Sequence, residues 1–568
     1  MKRTIALLVT LPCFAALAAA QMPTELLTRS SAGAQANVGT SSFPMLGLSD
    51  DGRIVAFASG ATNLVVGDVN GVADIFVRDR LLSTTELVSL SSAGVQANGP
   101  SEFPTASDDG RYVVFSSNAN NLVAADGNGF YDIFLSDRSN GSTVRVSEAS
   151  VGGDSNGSSY GGFISGDGRF VSFTSTATNL IASDTNGHAD VFVRELSTGV
   201  TVLASVDSNG VQGSADSQTS RLSDDGSILI FASQANNLWP GDINQSIDVF
   251  VRDMITGTTE AASRTPAGVT PSHGAFTNPG LSGDGAFVAF ESSSPDLGLP
   301  VNSGFEIFVF ERATGSVQLV SRNFMGVPSG GSCAQPSLSD DGRYVTFHSL
   351  SKKLVNLDIG PLDDVFVVDR SNGEVTRASM NIFGYSAAGN SGSAKISGDG
   401  RTIVFCSIAP DLVQGDTNGV VDLFAHDRTQ TQPVAYCESK VSGQGCTPYI
   451  SSAGMPSLSQ PSGFLIDGVA IKVDAPGLLI YATAPNKSPF LGGTLCLLPP
   501  IKRTLGQTAG GTTACTGRFS LDFNAWIAGH AGSFNAGDVV YAQYWYRDTL
   551  SSPYFAGLTD ALRFVIYP

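Results

Sequence analysis

The stretch FPTASDDGRYVVFSS, residues 103–117, sets an acidic, glycine-containing turn between two runs of strand-forming residues. Asp and Gly favour tight turns, whereas Tyr, Val and Phe fit a pleated sheet. The turn recurs as SDDGR at Ser49, SGDGR at Ser165, SDDGS at Ser223, SGDGA at Ser282, SDDGR at Ser339 and SGDGR at Ser397. Its glycines are Gly52, Gly110, Gly168, Gly226, Gly285, Gly342 and Gly400, spaced 58, 58, 58, 59, 57 and 58 residues apart. A period this regular marks a repeat architecture.

Each copy repeats one grammar. A short segment leads into the turn, and RYVVFSS from Arg111 follows it. A polar loop leads to DIFLSD from Asp132, and the RSNG turn leads to TVRVSE from Thr143. Asn-Gly between apolar runs signals a hairpin, so each copy reads as four antiparallel strands. The two middle runs are apolar on both faces, which requires a covering layer on each side. Four-stranded units packed face to face around an axis supply those layers, giving an all-β seven-bladed β-propeller rather than a linear solenoid.

TELLTRSSAGAQAN from Thr24 matches TELVSLSSAGVQAN from Thr85, the fourth strand and following loop of copy one. The chain therefore carries an extra fourth strand before its first copy. Residues 24–30 are expected to complete blade seven and to remove the open sheet edges. The run S-x-D-G-R-x-[IV]-x-F followed by D-[IV]-F-V-x-D resembles the TolB-type, WD40-like repeat of β-propellers over roughly residues 24–436. The resemblance implies the propeller fold. Propellers of this kind serve in binding, in scaffolding and as covers of enzymes.

The loop before the third strand carries a pattern of its own. GDTNGVVDLFAHDR, residues 415–428, offers Asp416, Asn418 and Asp422. Its counterparts are Asp68, Asn70 and Asp74; Asp126, Asn128 and Asp132; Asp184, Asn186 and Asp190; and Asp242, Asn244 and Asp248. Copy six keeps Asp358 and Asp364 around Gly360, and copy five offers only Glu306. Three oxygen ligands within seven residues suit structural Ca2+, one ion per blade. Asp and Asn equally cap turns by bonding backbone N–H groups. Both readings stay open at this point.

Residues 1–20 read as a signal peptide: Lys2 and Arg3, then TIALLVTLPCFAALA, then small residues before Gln21. Export to the periplasm, the cell surface or the medium follows, with no transmembrane segment in the mature chain. The propeller is expected over 21–436 and a disulfide-bearing β-sandwich over 437–568. Removing Cys13 leaves six cysteines. Proximity pairs Cys437 with Cys446 and Cys496 with Cys515, while Cys333 and Cys406 are a third pair or two buried thiols. GRFSLDFNAWI and GDVVYAQYWYRD read as strands of the C-terminal segment. Trp526, Tyr541, Tyr544, Trp545 and Tyr546 there suit a core better than a sugar-binding face. CESKVSGQGCTP from Cys437 and FLGGTLCLLPPIKRT from Phe490 resemble a β-rich module found at the C-termini of secreted bacterial proteins.

A net charge of −19 disfavours nucleic acid as a partner. No nucleophile elbow, zinc motif, P-loop or dinucleotide fingerprint occurs. Five histidines are present, and His188 and His426 occupy variable repeat positions expected at the surface. No catalytic residue is singled out, and carboxylates from different blades facing the channel are beyond the reach of spacing. The sequence reads as a binding or scaffolding protein with a protein or carbohydrate ligand on a propeller face. A propeller hydrolase or lyase acting on extracellular polysaccharide is the alternative, and an envelope or surface-layer component a further one. Blade five, where the repeat breaks, is the first face to inspect.

Overall fold

A computed structural model describes residues 24–40, 46–275, 278–298, 304–323, 326–355, 362–381, 385–428, 434–436, 439–453, 456–460, 462–491, 493–530, 532–535, 538–550 and 555–566. The signal-peptide stretch, Asp358 and Cys437 lie outside them. Thr24–Tyr436 forms one compact unit, and Cys437–Pro568 falls in another.

The first unit consists of seven four-stranded antiparallel sheets. Blade two shows the pattern: Ser101–Ala106, Tyr112–Ser117, Asp132–Asp137 and Ser142–Arg145, hydrogen-bonded in chain order. In its register Phe115 lies opposite Phe134, with ring centroids 5.9 Å apart. Every blade repeats this pair, from Phe57–Phe76 to Phe405–Phe424. The double-sided apolarity of the middle strands is used as the sequence demands. Val113, Phe115 and Phe134 pack with Ile54 and Ile75 of blade one, while Val114, Ile133 and Leu135 pack with Val171 and Phe173 of blade three.

Blade seven takes Ser391–Ile396, Thr402–Ser407 and Asp422–Asp427 from the end of the repeat and Thr24–Leu26 as its fourth strand. Leu26 sits opposite Phe424, and the Leu27 N–H bonds the Leu423 carbonyl at 2.8 Å. Leu27, Val404 and Leu423 then pack with Val55, Phe57 and Phe76 of blade one, so the ring closes through a continuous core. His426 is not a surface residue. It lies opposite Thr24 in this seam, 5% exposed, with Nδ1 3.0 Å from the Thr24 hydroxyl, and burial pushes its imidazole down to about 4.

The C-terminal unit is a small β module. One sheet contains Ala556–Val565, Val539–Arg547, Pro476–Ala482 and Lys502–Arg503 in that order, and a second contains Tyr449–Ala453, Leu465–Ile471 and Gly517–Asp522. Their core includes Ile466, Phe519, Phe523, Tyr544, Tyr546 and Phe564. The strand expected through FNAWI is a short helix instead, Phe523–Ala528. Asp522 caps it by accepting from the Ala525 N–H at 3.1 Å, which favours a helix start directly after the strand. Tyr544 and Tyr546 are buried, and Tyr544 donates to the Ile466 carbonyl at 2.9 Å.

The cysteine pairing differs from the expectation. Cys446 bonds Cys515, 69 residues away, with 5.4 Å between Cα atoms. Tyr449–Ala453 and Gly517–Asp522 both run antiparallel to Leu465–Ile471. They are therefore parallel to each other, and the cysteines just before them meet at one end of the sheet. Nearness in sequence had no bearing on that. Cys496 is disulfide-bonded as well. Cys333 and Cys406 are buried free thiols, and burial pushes both up to about 12.

Candidate functional site

The S-x-D-G turn divides its residues between two tasks. Ser107 Oγ donates to Asp109 Oδ1 at 2.6 Å, the Arg111 N–H reaches the same oxygen at 2.9 Å, and the Tyr112 N–H reaches Ser107 Oγ at 3.0 Å. Ser and the second acidic residue thus build the turn. Gly110 completes it at φ +65°, where a Cβ would also lie 2.6 Å from Ile54.

The variable residue x faces the channel. It is Asp50, Asp108, Gly166, Asp224, Gly283, Asp340 and Gly398 around the ring. Here backbones link neighbouring blades: Asp108 N–H to the Gly166 carbonyl at 3.0 Å, Asp224 to Gly283 at 2.9 Å, and Asp340 to Gly398 at 3.0 Å. The glycines make room for the carboxylates. A Cβ on Gly398 would lie 1.9 Å from Asp50 Oδ1 and 2.1 Å from Asp340 Oδ2, and one on Gly166 would lie 2.0 Å from Asp108 Oδ2. Four aspartates therefore converge on a constriction of about 110 Å³. Burial, reinforced by the neighbouring carboxylates, pushes Asp108 up to about 7, Asp224 to about 6 and Asp340 upward as well.

These shifts have a signed consequence. A carboxyl raised in the folded state holds its proton there longer than in the unfolded chain, so its stabilising share is lost as pH rises through the raised value. Between pH 6.5 and 8 the opposite, rising slope from the depressed imidazole of His426 fades as the unfolded histidine loses its proton, whereas Asp108, Asp340, Asp248 and Glu291 contribute a falling one. The melting midpoint is expected to fall over that range. Asp340→Asn should flatten the fall and raise the midpoint at pH 8 by about 1 °C, corresponding to about 1 kcal/mol. A midpoint that rises from pH 6.5 to 8 would contradict this.

Beyond the constriction the channel widens, and the first strands change geometry. Register breaks occur at Glu102/Thr105, Tyr160/Phe163, Gln218/Arg221, Ala334/Ser337 and Gly392/Lys395. Within them Phe103, Gly161, Thr219, Gln335 and Ser393 all have φ between 51° and 62°. Left-handed backbone at non-glycine residues costs about 1–3 kcal/mol each and concentrates where side chains must be re-aimed. These bulges line a cavity of about 440 Å³, together with Tyr160, Gln218, Asn278, Arg221 and Lys395.

Arg221 and Lys395 border both halves of the channel. The Arg221 guanidinium carbon lies 5.3 Å and Lys395 Nζ 5.6 Å from the centre of the Phe163 ring. Arg221 Nε donates to the Pro279 carbonyl at 2.6 Å, and Nη1 has no protein partner. Burial lowers Arg221 to about 10, and burial with the neighbouring Arg221 charge lowers Lys395 well below the ordinary lysine value. On blade five, Glu291 accepts from the Gln335 N–H at 2.6 Å, and burial pushes it up to about 7.

The loop residues gather elsewhere, at the start of each third strand. Asp74 Oδ1 accepts from Ser89 Oγ at 2.5 Å, and the Ile75 N–H donates to Ser89 Oγ at 3.1 Å. Asp132, Asp190, Asp248, Asp364 and Asp422 repeat the contact with Ser147, Ser205, Ser263, Ser379 and Thr28. Glu306 does the same with Ser321, so blade five keeps this function with a longer side chain. Asn70, Asn128, Asn186, Asn244 and Asn418 each accept through Oδ1 from the N–H two residues on. Three of them aim Nδ2 at the last Asp of their loop: Asn70 at Asp74, Asn128 at Asp132 and Asn244 at Asp248, at 2.7–2.9 Å. Gln96 donates to Asp68 at 2.7 Å and Thr270 to Asp242 at 3.2 Å. Arg145 lies 3.6 Å from both Asp126 and Asp132, and Arg377 lies 3.4 Å from Asp364. Asp184 Oδ1, like one oxygen each of Asp190, Asp242 and Asp422, has no protein partner, and burial raises Asp416.

Sequence reasoning missed Asp50, Asp108, Asp224, Asp340, Arg221 and Lys395. Two signals were present: the alternation of SDDG with SGDG, and two cations at a first-strand position that is Thr105, Phe163 and Ser337 in other blades.

No known protein family and no curated protein matches the chain by sequence. TolB from Acinetobacter baumannii aligns with a TM-score of 0.35 at 16% identity, over 59% of this chain and 65% of that chain, just under two thirds of its length. An oligogalacturonate lyase in complex with manganese aligns at 0.44 and 12%, over 72% of this chain and 98% of that one. A prolyl endopeptidase aligns at 0.42 and 12%, over 77% and 56%. The chain is distantly similar in fold to TolB-like and other β-propellers.

Proposed function

We propose that this is an exported binding protein whose ligand sits in the wide half of the propeller channel. The observation that carries the reading is one cavity of about 440 Å³ lined by first-strand residues of several blades, where Arg221 and Lys395 depart from the repeat. The Cys446–Cys515 disulfide is compatible with an oxidising compartment. The reading is tested by thermal-shift screening of residues 21–568 against acidic and neutral oligosaccharides and short peptides. A saturable rise that Gln218→Trp abolishes supports it, and a ligand insensitive to that cavity-filling change sinks it.

A second reading, a hydrolase or lyase acting on polysaccharide, is favoured by charged and aromatic side chains from several blades meeting in one channel. Release of reducing ends or unsaturated products from a bound oligosaccharide would decide for it.

The loop carboxylates we read as turn chemistry, because the asparagine oxygens are committed to backbone N–H groups. The melting midpoint is expected to agree within about 1 °C between excess calcium and chelator. Saturating calcium at even one site would add about 2.7 kcal/mol at a hundredfold excess over its dissociation constant, so a rise of several degrees would overturn the reading.

A further inference from the structure

We infer that the wide half of the channel holds the anionic end of a small polyhydroxylated acid, gripped between Arg221 and Lys395. The inference rests on the binding reading above and adds the chemistry of the ligand.

The two cations come from blades four and seven and occupy the same first-strand position, opposite Ile230 and Val404 in their sheets. The blades bring them to one ring, Phe163, across the channel. Arg221 is only 9% exposed, and no ion pair joins either cation to a carboxylate among the described residues. The constriction aspartates form no ion pair with either cation among the described residues, and Glu291 is engaged with the Gln335 N–H. Burial and mutual repulsion disfavour the charged forms of both side chains, and an anion placed between them relieves both penalties, so it is attracted strongly. Arg221 Nη1 is an unpartnered donor for it, and charge-assisted hydrogen bonds of this kind are among the strongest available.

The rest of the lining fits the rest of such a ligand. Gln218, Thr219, Asn278, Gln335 and Ser393 offer neutral donors and acceptors suited to hydroxyl groups. Phe103 and Tyr160 offer flat faces on which a ring can stack. A cavity of about 440 Å³ accommodates a molecule of one or two sugar units.

The test compares the melting midpoint of residues 21–568 in glucuronate, in glucose and in inorganic phosphate, for the wild type, R221M/K395M and Q218W. Glucuronate and glucose differ by the carboxylate. The wild type is expected to show a saturable rise with glucuronate, at an affinity on the order of tenfold or more above that for glucose, and R221M/K395M to lose that preference. Where the double variant does not fold, as judged by circular dichroism, K395M alone is read in the same way. No preference for glucuronate, or a preference unchanged by the cation substitutions, overturns the inference, and a response to phosphate alone overturns the sugar-acid form of it. A neutral sugar or peptide whose binding is lost in Q218W but kept in R221M/K395M overturns this inference while leaving the binding reading intact. The absence of any response to acid, neutral sugar or peptide removes both.

Discussion

A chain shortened to begin at Val38 is expected to lose its monomeric fold. The deletion removes Thr24–Leu26, the fourth strand of blade seven, and leaves Asp422–Asp427 as an open edge. It also removes Thr28, which bonds Asp422, and Leu26 and Leu27, which are 6% and 0% exposed. Two buried leucines contribute about 3–6 kcal/mol together, and a row of unpaired strand groups invites edge-to-edge association. Thermal unfolding with size-exclusion chromatography should show a midpoint lowered by at least about 3–7 °C and a shift to aggregates. A synthetic peptide spanning 24–37 should restore part of the loss by refilling the edge. An unchanged midpoint for the shortened chain would mean that closure of the ring contributes little to its stability.

The second large effect is expected from Phe231→Ala. Phe231 is fully buried, lies opposite Phe250 in the blade-four register and stacks on it with centroids 5.7 Å apart. Truncation leaves a cavity between two blades that are held on both sides, so collapse is restricted. The cost should be about 3–5 kcal/mol, read as a lower denaturant midpoint with an unchanged slope. Phe231→Leu, which keeps most of the volume, should cost about half as much or less. A cost below about 1 kcal/mol for the alanine would indicate that the blade core repacks freely.

The architecture was legible because its causes are local and repeated. A glycine at positive φ every 58 residues, flanked by runs apolar on both faces, admits few arrangements other than stacked four-stranded sheets. The cysteine pairing was not legible, because it depends on which strands of the C-terminal module run parallel, and nothing near Cys446 or Cys515 reports that. His426 looked like a surface residue because its repeat position varies, yet in blade seven that position faces the closure seam. The channel lay between these cases. Asp50, Asp108, Asp224 and Asp340 differ visibly from the glycines that alternate with them, but they become a cluster only when the ring is closed. Arg221 and Lys395 are 174 residues apart and meet because three repeats separate them around the axis. The loop pattern ending at Asp74, Asp132 and Asp248 was the most conspicuous signal in the chain, and its oxygens and amides hold the starts of the strands. Repetition marks the scaffold in this protein, and the departures from repetition mark the channel.

The measurement that tests this account most directly is hydroxyl-radical footprinting of residues 21–568, with and without a pool of acidic and neutral oligosaccharides. The account predicts protection of Phe103 and Tyr160 in the wide half of the channel, with Trp526 and Tyr541 of the C-terminal module unchanged. Protection confined to the C-terminal aromatics, with the channel residues labelled equally in both samples, would contradict it.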